Sequence, residues 1–186
     1  MRRLETRLEG PILVEPVVHG DARGFFHESY RKSVYAQFGI DDDFVQDNHS
    51  RSKHGIVRGM HFQVGDGMAK LVRCAYGAIV DVVVDLRKGS PTFADWEAFE
   101  LDDENLRQIY CPIGFAHGFV VTDESADVIY KCSSYYDESI ERGIRYDDPD
   151  VGIEWPAGVE LQPSERDANA PLLREVADDL PFTYAR

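Results

Sequence analysis

The run Ala78-Ile-Val-Asp-Val-Val-Val-Asp-Leu86 leaves little choice of secondary structure. Branched side chains are crowded in a helix and fit a pleated strand. Strict alternation puts Ala78, Val80, Val82, Val84 and Leu86 on one face, and Ile79, Asp81, Val83 and Asp85 on the other. Asp85, at the strand end, is expected to face water. For Asp81, in mid-strand, a solvated acid and a partnered interior acid both stay open.

The rest of the chain repeats this strand pattern. Residues 11–18, 25–30, 44–50, 55–63, 69–76, 93–101, 108–111, 115–122 and 127–136 read as further strands. Residues 19–24, with two glycines and an Asp, read as a turn, and Pro112-Ile-Gly114 as another. Helices are expected only at the edges. One spans 32–38 and stops at Gly39; one runs from Pro171 to about residue 179, with Leu172, Leu173, Val176 and Leu180 as its apolar stripe. Many short strands with few helices point to an all-β fold, and a jelly roll is the common double-sheet solution. At 186 residues with no repeat or linker, a single domain is expected over 1–186.

Composition narrows the function. A net charge of −14 with no basic patch argues against nucleic acid. No stretch approaches the roughly 20 apolar residues of a membrane span, and no apolar run follows the basic N-terminal residues. Cys74, Cys111 and Cys132 form no CxxC pair and sit in apolar segments, which fits reduced thiols and a cytoplasmic location. An anionic ligand would need placed Arg and Lys residues to outweigh the acidic field.

The chemistry candidates centre on Gly55-Ile-Val-Arg-Gly-Met-His-Phe-Gln63 and Met68-Ala-Lys-Leu-Val-Arg-Cys74. They put His61 and Lys70 on neighbouring strands joined by a short Gly-rich link. A histidine takes a proton near neutral pH, and a lysine holds the negative charge left when a proton leaves carbon. A lone strand histidine is more often structural; Lys70, Arg58 and Gln63 raise the odds here. Alternation puts His61 and Gln63 together and turns Arg58 away, unless Gly59 marks a bulge. His117, alone, reads as a satisfied core histidine that Asp81 could orient. Tyr130 reads as packing unless it faces His61, and Asp167 as a surface acid unless its segment folds back. Arg23, Glu28, Gln46 and Asn48 taken singly are ordinary polar residues. For a metal site, Pro112, Gly114 and His117 keep half of a PxGxxH motif, but His61-Phe62-Gln63 lacks the second histidine of HxH and no Glu follows before Lys70. Two histidines beside a lysine make a poor divalent site, so the pocket is read as metal-free.

In order along the chain stand Asp21-Ala-Arg-Gly-Phe-Phe-His-Glu28, Phe44-Val-Gln-Asp-Asn48, Val57-Arg-Gly-Met-His-Phe-Gln63, Ala69-Lys-Leu-Val-Arg73, Asp81-Val-Val-Val-Asp-Leu-Arg-Lys88, Pro112-Ile-Gly-Phe-Ala-His-Gly-Phe119, Tyr130-Lys-Cys132 and Gly152-Ile-Glu-Trp-Pro156. Together they resemble the dTDP-4-dehydrorhamnose 3,5-epimerase family over most of the chain. The resemblance implies a cupin-type jelly roll without cofactor. Its implied substrate is a dTDP-4-keto-6-deoxy sugar inverted at C3 and C5. It implies His61 as base, Asp167 as its orienting acid, Lys70 as enolate stabiliser and Tyr130 as opposite-face acid. It places Arg23, Glu28, Gln46, Asn48, Arg58, His117, Tyr136, Glu141 and Arg166 around nucleotide and sugar, with Tyr136 near the second centre. It also implies a homodimer with exchanged N-terminal strands, so that Arg23 and Glu28 serve the partner's site. There are departures: residues 64–69 lack the usual Pro-Gln before the lysine, Asp137-Glu138 stands where Pro is common, and Arg166 is often lysine. They leave open a relative that inverts one centre. A nucleotide-sugar binder without turnover and a metal-dependent cupin oxygenase stand further back.

Overall fold

In the computed structural model, which describes residues 1–185, the chain begins with β1 (Arg2–Leu4), β2 (Ile12–Glu15), β3 (Val18–Asp21) and β4 (Gly24–His27), then α1 (Lys32–Tyr35). The central strands are β5 (Gln46–Lys53), β6 (Ile56–Gln63), β7 (Lys70–Tyr76), β8 (Ala78–Asp85), β9 (Trp96–Asp102), β10 (Gln108–Cys111), β11 (Phe115–Val121) and β12 (Ser125–Cys132). After them come β13 (Glu141–Gly143), β14 (Gln162–Pro163), α2 (Glu165–Ala168) and α3 (Leu173–Val176).

One sheet runs β1-β2-β10-β7-β12-β5. The other runs β13-β6-β11-β8-β9, with β14 added in parallel to β6. They form the double-sheet jelly roll expected from the strand pattern, with short helices at the edges. Alternation sorts the side chains into three layers. Val72, Cys74, Ile79, Val83, Phe119 and Val128 pack between the sheets. The outer face of the first sheet, with Val14 and Leu71, is covered by Tyr35 and Ile40. The outer face of the second, with Met60, Val82, Val84 and Leu86, is covered by Ile144, Leu173, Leu180 and Phe182 from the C-terminal segment. Both faces of β8 are therefore buried, which explains why valine fills it.

Several expectations are corrected. The turn expected over 19–24 is mostly strand. Asp21 Oδ1 accepts the Arg23 N–H at 2.8 Å, so the reversal closes within two residues and β3 pairs with β4 as a separate hairpin. The 11–18 strand breaks at Pro16, which cannot donate to a ladder. The 127–136 strand ends at Cys132, and residues 133–136 leave the sheet. Asp85 does not face water. It is fully buried, with its carboxylate taken up by Arg87 (2.9 and 2.7 Å), Ser90 (2.6 Å) and Thr92 (2.8 Å). Burial alone would push its pKa up, but these donors bring it below the ordinary carboxylate value.

Candidate active site

One cavity of about 470 Å³ opens at one end of the space between the sheets. From the second sheet, β6 contributes Arg58 and His61, and β11 contributes His117. From the first sheet, β7 contributes Lys70 and β12 contributes Tyr130. Inward orientation follows from the alternation. Ala69 and Leu71 pack outward under Tyr35, so Lys70 points in; Met60 and Phe62 pack outward under the C-terminal segment, so His61 points in.

Arg58 and His61 share the pocket because the β6–β11 ladder is irregular. His61 pairs with His117 and Arg58 with Phe119, so three steps on β6 match two on β11. The extra residue lies at Gly59, whose φ of +135° suits only glycine, and a Cβ there would lie 2.5 Å from the Gly118 Cα. Of the two readings left open for Arg58, the bulge is the one observed. Arg58 Nε donates to Ser52 Oγ at 2.9 Å.

The segment carrying Asp167 folds back onto His61. Gln162 and Pro163 pair in parallel with Ile56 and Val57, and Ser164 then caps α2 by accepting the Asp167 N–H at 3.1 Å. This sets His61 Nε2 2.6 Å from Asp167 Oδ1, while the Gly59 N–H lies 3.4 Å from Asp167 Oδ2. Burial works against the Asp167 charge, but the bonds from His61, Gly59 and Ser164 outweigh it and hold the carboxyl below its ordinary value. The His61 side chain stays 24% exposed and Asp167 only 6%.

Directly across the ladder from His61, His117 donates through Nε2 to Asp81 Oδ2 at 2.8 Å. Asp81 is thus the partnered interior acid. Its other oxygen, Oδ1, is buried and makes no hydrogen bond. Burial raises the Asp81 pKa despite the opposing pull of His117 and Lys70. Lys70 makes no hydrogen bond or ion pair within the described residues, so its ammonium is free to meet a ligand. Burial also raises the Tyr130 pKa, so the phenol keeps its proton at neutral pH. Ser50 Oγ, on the same wall, is buried without a partner.

A second group closes the mouth. Glu141 Oε2 accepts from the Tyr136 hydroxyl at 2.9 Å and pairs with Arg166 Nη1 at 2.5 Å. The bond to Glu141 raises the Tyr136 pKa and helps hold Arg166 charged. Gln46 and Gln63 position this group: Gln46 Oε1 accepts the Tyr136 N–H at 3.0 Å, and Gln63 Oε1 accepts the Asp137 N–H at 2.9 Å. Arg58, Lys70 and Arg166 line this one cavity, which gives an acidic chain its local cationic patch.

Nine of the residues singled out in the sequence thus meet in one pocket: Arg58, His61, Lys70, His117, Tyr130, Tyr136, Glu141, Arg166 and Asp167. Gln46 and Asn48 stand behind it on β5, bonded to each other at 3.0 Å, with Asn48 in register with Tyr130. Arg23 and Glu28 do not reach it within this chain. Arg23 pairs with Asp21 at the hairpin tip, and Glu28 with Arg31. Sequence reasoning missed Ser164 and Ser52. The Ser164-Glu-Arg-Asp167 spacing is a capping signal that could have located α2; nothing local marks Ser52.

The dTDP-4-dehydrorhamnose 3,5-epimerase family model matches residues 5–175. The curated dTDP-4-dehydrorhamnose 3,5-epimerase of Salmonella typhimurium is 48% identical over 172 residues, covering 91% of this chain and 94% of that protein. Among solved structures, the Legionella pneumophila dTDP-6-deoxy-D-glucose-3,5-epimerase in complex with dTDP-4-keto-L-rhamnose superposes with a TM-score of 0.96 at 44% identity, covering 100% of this chain and 99% of that one. A 3'-monoepimerase from Streptomyces bikiniensis in complex with dTDP-quinovose superposes with a TM-score of 0.90 at 38% identity, covering 96% and 92%.

Proposed function

The chain belongs to the dTDP-4-dehydrorhamnose 3,5-epimerase family, and we propose that its pocket inverts C3 and C5 of dTDP-4-dehydro-6-deoxy-D-glucose to give dTDP-4-dehydro-L-rhamnose. The 4-keto group acidifies the protons on the two flanking carbons. His61 removes one of them with the ring nitrogen that Asp167 does not hold. The Asp167 carboxylate, ionised at neutral pH, fixes the ring and stabilises the imidazolium that forms. The free Lys70 ammonium takes the enolate oxygen. Tyr130, reaching in from the facing sheet, returns a proton to the opposite face of the carbon, which inverts it. No cofactor enters these steps. The observation that carries this reading is the His61–Asp167 pair set opposite Lys70 and Tyr130 in one cavity.

Arg58 and Arg166 suit the diphosphate, since guanidinium forks match phosphate oxygens. His117, Tyr136 and Glu141 shape the sugar site. Arg23 and Glu28, with Gln46 and Asn48, complete the nucleotide site in a homodimer that exchanges its N-terminal strands. The β3–β4 hairpin supports this: it forms a sheet of its own and leaves Phe25 60% and Phe26 71% exposed, apolar surface that a second copy would cover. No helix of the described residues is long and apolar enough to cross a membrane. With three free buried cysteines, we place the enzyme in the cytoplasm.

The test is to replace His61 by Ala and measure dTDP binding beside turnover. Retained binding with lost turnover is the expected result. Retained turnover would remove His61 from the chemistry, and a native protein that binds without turning over would leave only a binding module.

A further inference from the structure

Tyr130 has a partner of its own behind the cavity wall. Along β5, alternation turns Gln46, Asn48, Ser50 and Ser52 inward and leaves Asp47, His49, Arg51 and Lys53 exposed. Asn48 is the ladder partner of Tyr130, and Gln46 that of Cys132. Tyr130 lines the cavity and Asn48 does not.

A row of hydrogen bonds reaches Asn48, and its direction is forced. It starts at the Tyr136 backbone N–H, which can only donate. Gln46 therefore turns its Oε1 toward that group, at 3.0 Å. Gln46 Nε2 is left to donate to Asn48 Oδ1, also at 3.0 Å. Asn48 then has its Nδ2 directed across the ladder, where it donates to Cys132 Sγ at 3.6 Å and to the Tyr130 phenol oxygen. An amide nitrogen carries two N–H groups, so it serves both. Burial raises the Tyr130 pKa, and the hydrogen bond from Asn48 works against it.

We infer that Asn48 is a positioning residue for the acid step: its amide N–H holds the Tyr130 oxygen from behind, so that the phenol O–H is aimed into the cavity. The inference rests on the epimerase reading above. In that step the Tyr130 O–H bond breaks, a C–H bond forms at the enolate carbon, and the electron pair stays on the phenol oxygen. A hydrogen bond to an ionised oxygen is roughly twice as strong as one to a neutral oxygen. The amide therefore helps most as charge appears on Tyr130, in the transition state rather than on binding.

The test reads kcat at saturating substrate, where any contribution of Asn48 to nucleotide binding drops out. Asn48→Ala should lower kcat by about tenfold, the loss of one hydrogen bond to a charged group. Fluorotyrosine in place of Tyr130, a more acidic phenol, should then recover part of that loss, because an acid that parts more easily with its proton needs less help. Gln46→Glu reaches the same amide from further out, should Asn48→Ala impair folding. It keeps an acceptor for the Tyr136 N–H and removes the donor that orients Asn48, so kcat should again fall and again be partly recovered by fluorotyrosine. Folded variants with an unchanged kcat, or a loss that fluorotyrosine does not recover, would overturn the inference. Failure of the unmodified protein to invert either carbon would instead sink the epimerase reading on which it depends.

Discussion

Two carboxylate–imidazole pairs face each other across one ladder, and they have been given different environments. His61–Asp167 and His117–Asp81 have similar bond lengths, 2.6 and 2.8 Å, and their histidines are register partners on β6 and β11. Asp167 comes from a capped helix, binds through both oxygens, and has its pKa lowered. Asp81 sits in mid-strand between the sheets, binds through one oxygen only, and has its pKa raised by burial. Side-chain exposure follows the same division: 24% and 6% in the first pair, 7% and 0% in the second. One pair is a supported, accessible base. The other is a buried clamp that holds the wall of the pocket.

The comparison breaks most readily at the imidazoles. Removing His61 should cost about 10²–10⁴-fold or more in kcat, the range of a general base. His117→Asn should act mainly through KM, because that ring positions rather than abstracts. Steady-state kinetics on both variants would dissolve the distinction if the losses were equal and both in kcat.

Asp167→Asn should be the next largest effect, about 10²-fold in kcat, with dTDP binding kept. It also carries a sign in pH. A carboxyl with a lowered folded pKa adds stability in full above its unfolded value of about 4, and loses it as pH falls through the folded value. The stability gap between wild type and Asp167→Asn should therefore narrow in acid. Denaturant unfolding at several pH values would read it, and a gap that widened in acid would contradict the assignment.

Asp81→Asn tests the other pair with the opposite sign. A raised folded pKa means that stability falls as pH rises from about 4 toward the folded value. The asparagine variant lacks that slope, so it should gain on wild type as pH rises through this window, while kcat changes little. Ser164→Ala is the smallest change. It should lower stability by about 1 kcal/mol through the lost cap and loosen Asp167 enough to reduce kcat.

The same contrast explains what could be read from the sequence. The branched run 78–86 made β8 legible as a strand, because a strand buried on both faces reads as a valine-rich run, but it left open whether Asp81 was solvated or partnered. His61 and Lys70 were legible as a pair but not as they stand: their strands do not neighbour each other, because the Gly-rich link crosses from one sheet to the other and the two side chains meet across the cavity. Asp167 was legible only through the family resemblance, because it meets His61 across a two-residue parallel pairing at Gln162 and Pro163 that no periodicity marks. Asp85 was misread because its partners, Arg87, Ser90 and Thr92, follow the strand in a loop whose path the alternation does not specify. Arg58 could be placed only by the bulge, and Gly59 was its single hint.

The most direct test of the central claim is solvent exchange. The protein is incubated with dTDP-4-keto-6-deoxyglucose in D₂O and the sugar protons are followed by NMR. A supported base facing an opposite-face acid should place deuterium at both C3 and C5, with each centre inverted. Deuterium at one centre only would make the enzyme a monoepimerase, and exchange at neither would contradict the account.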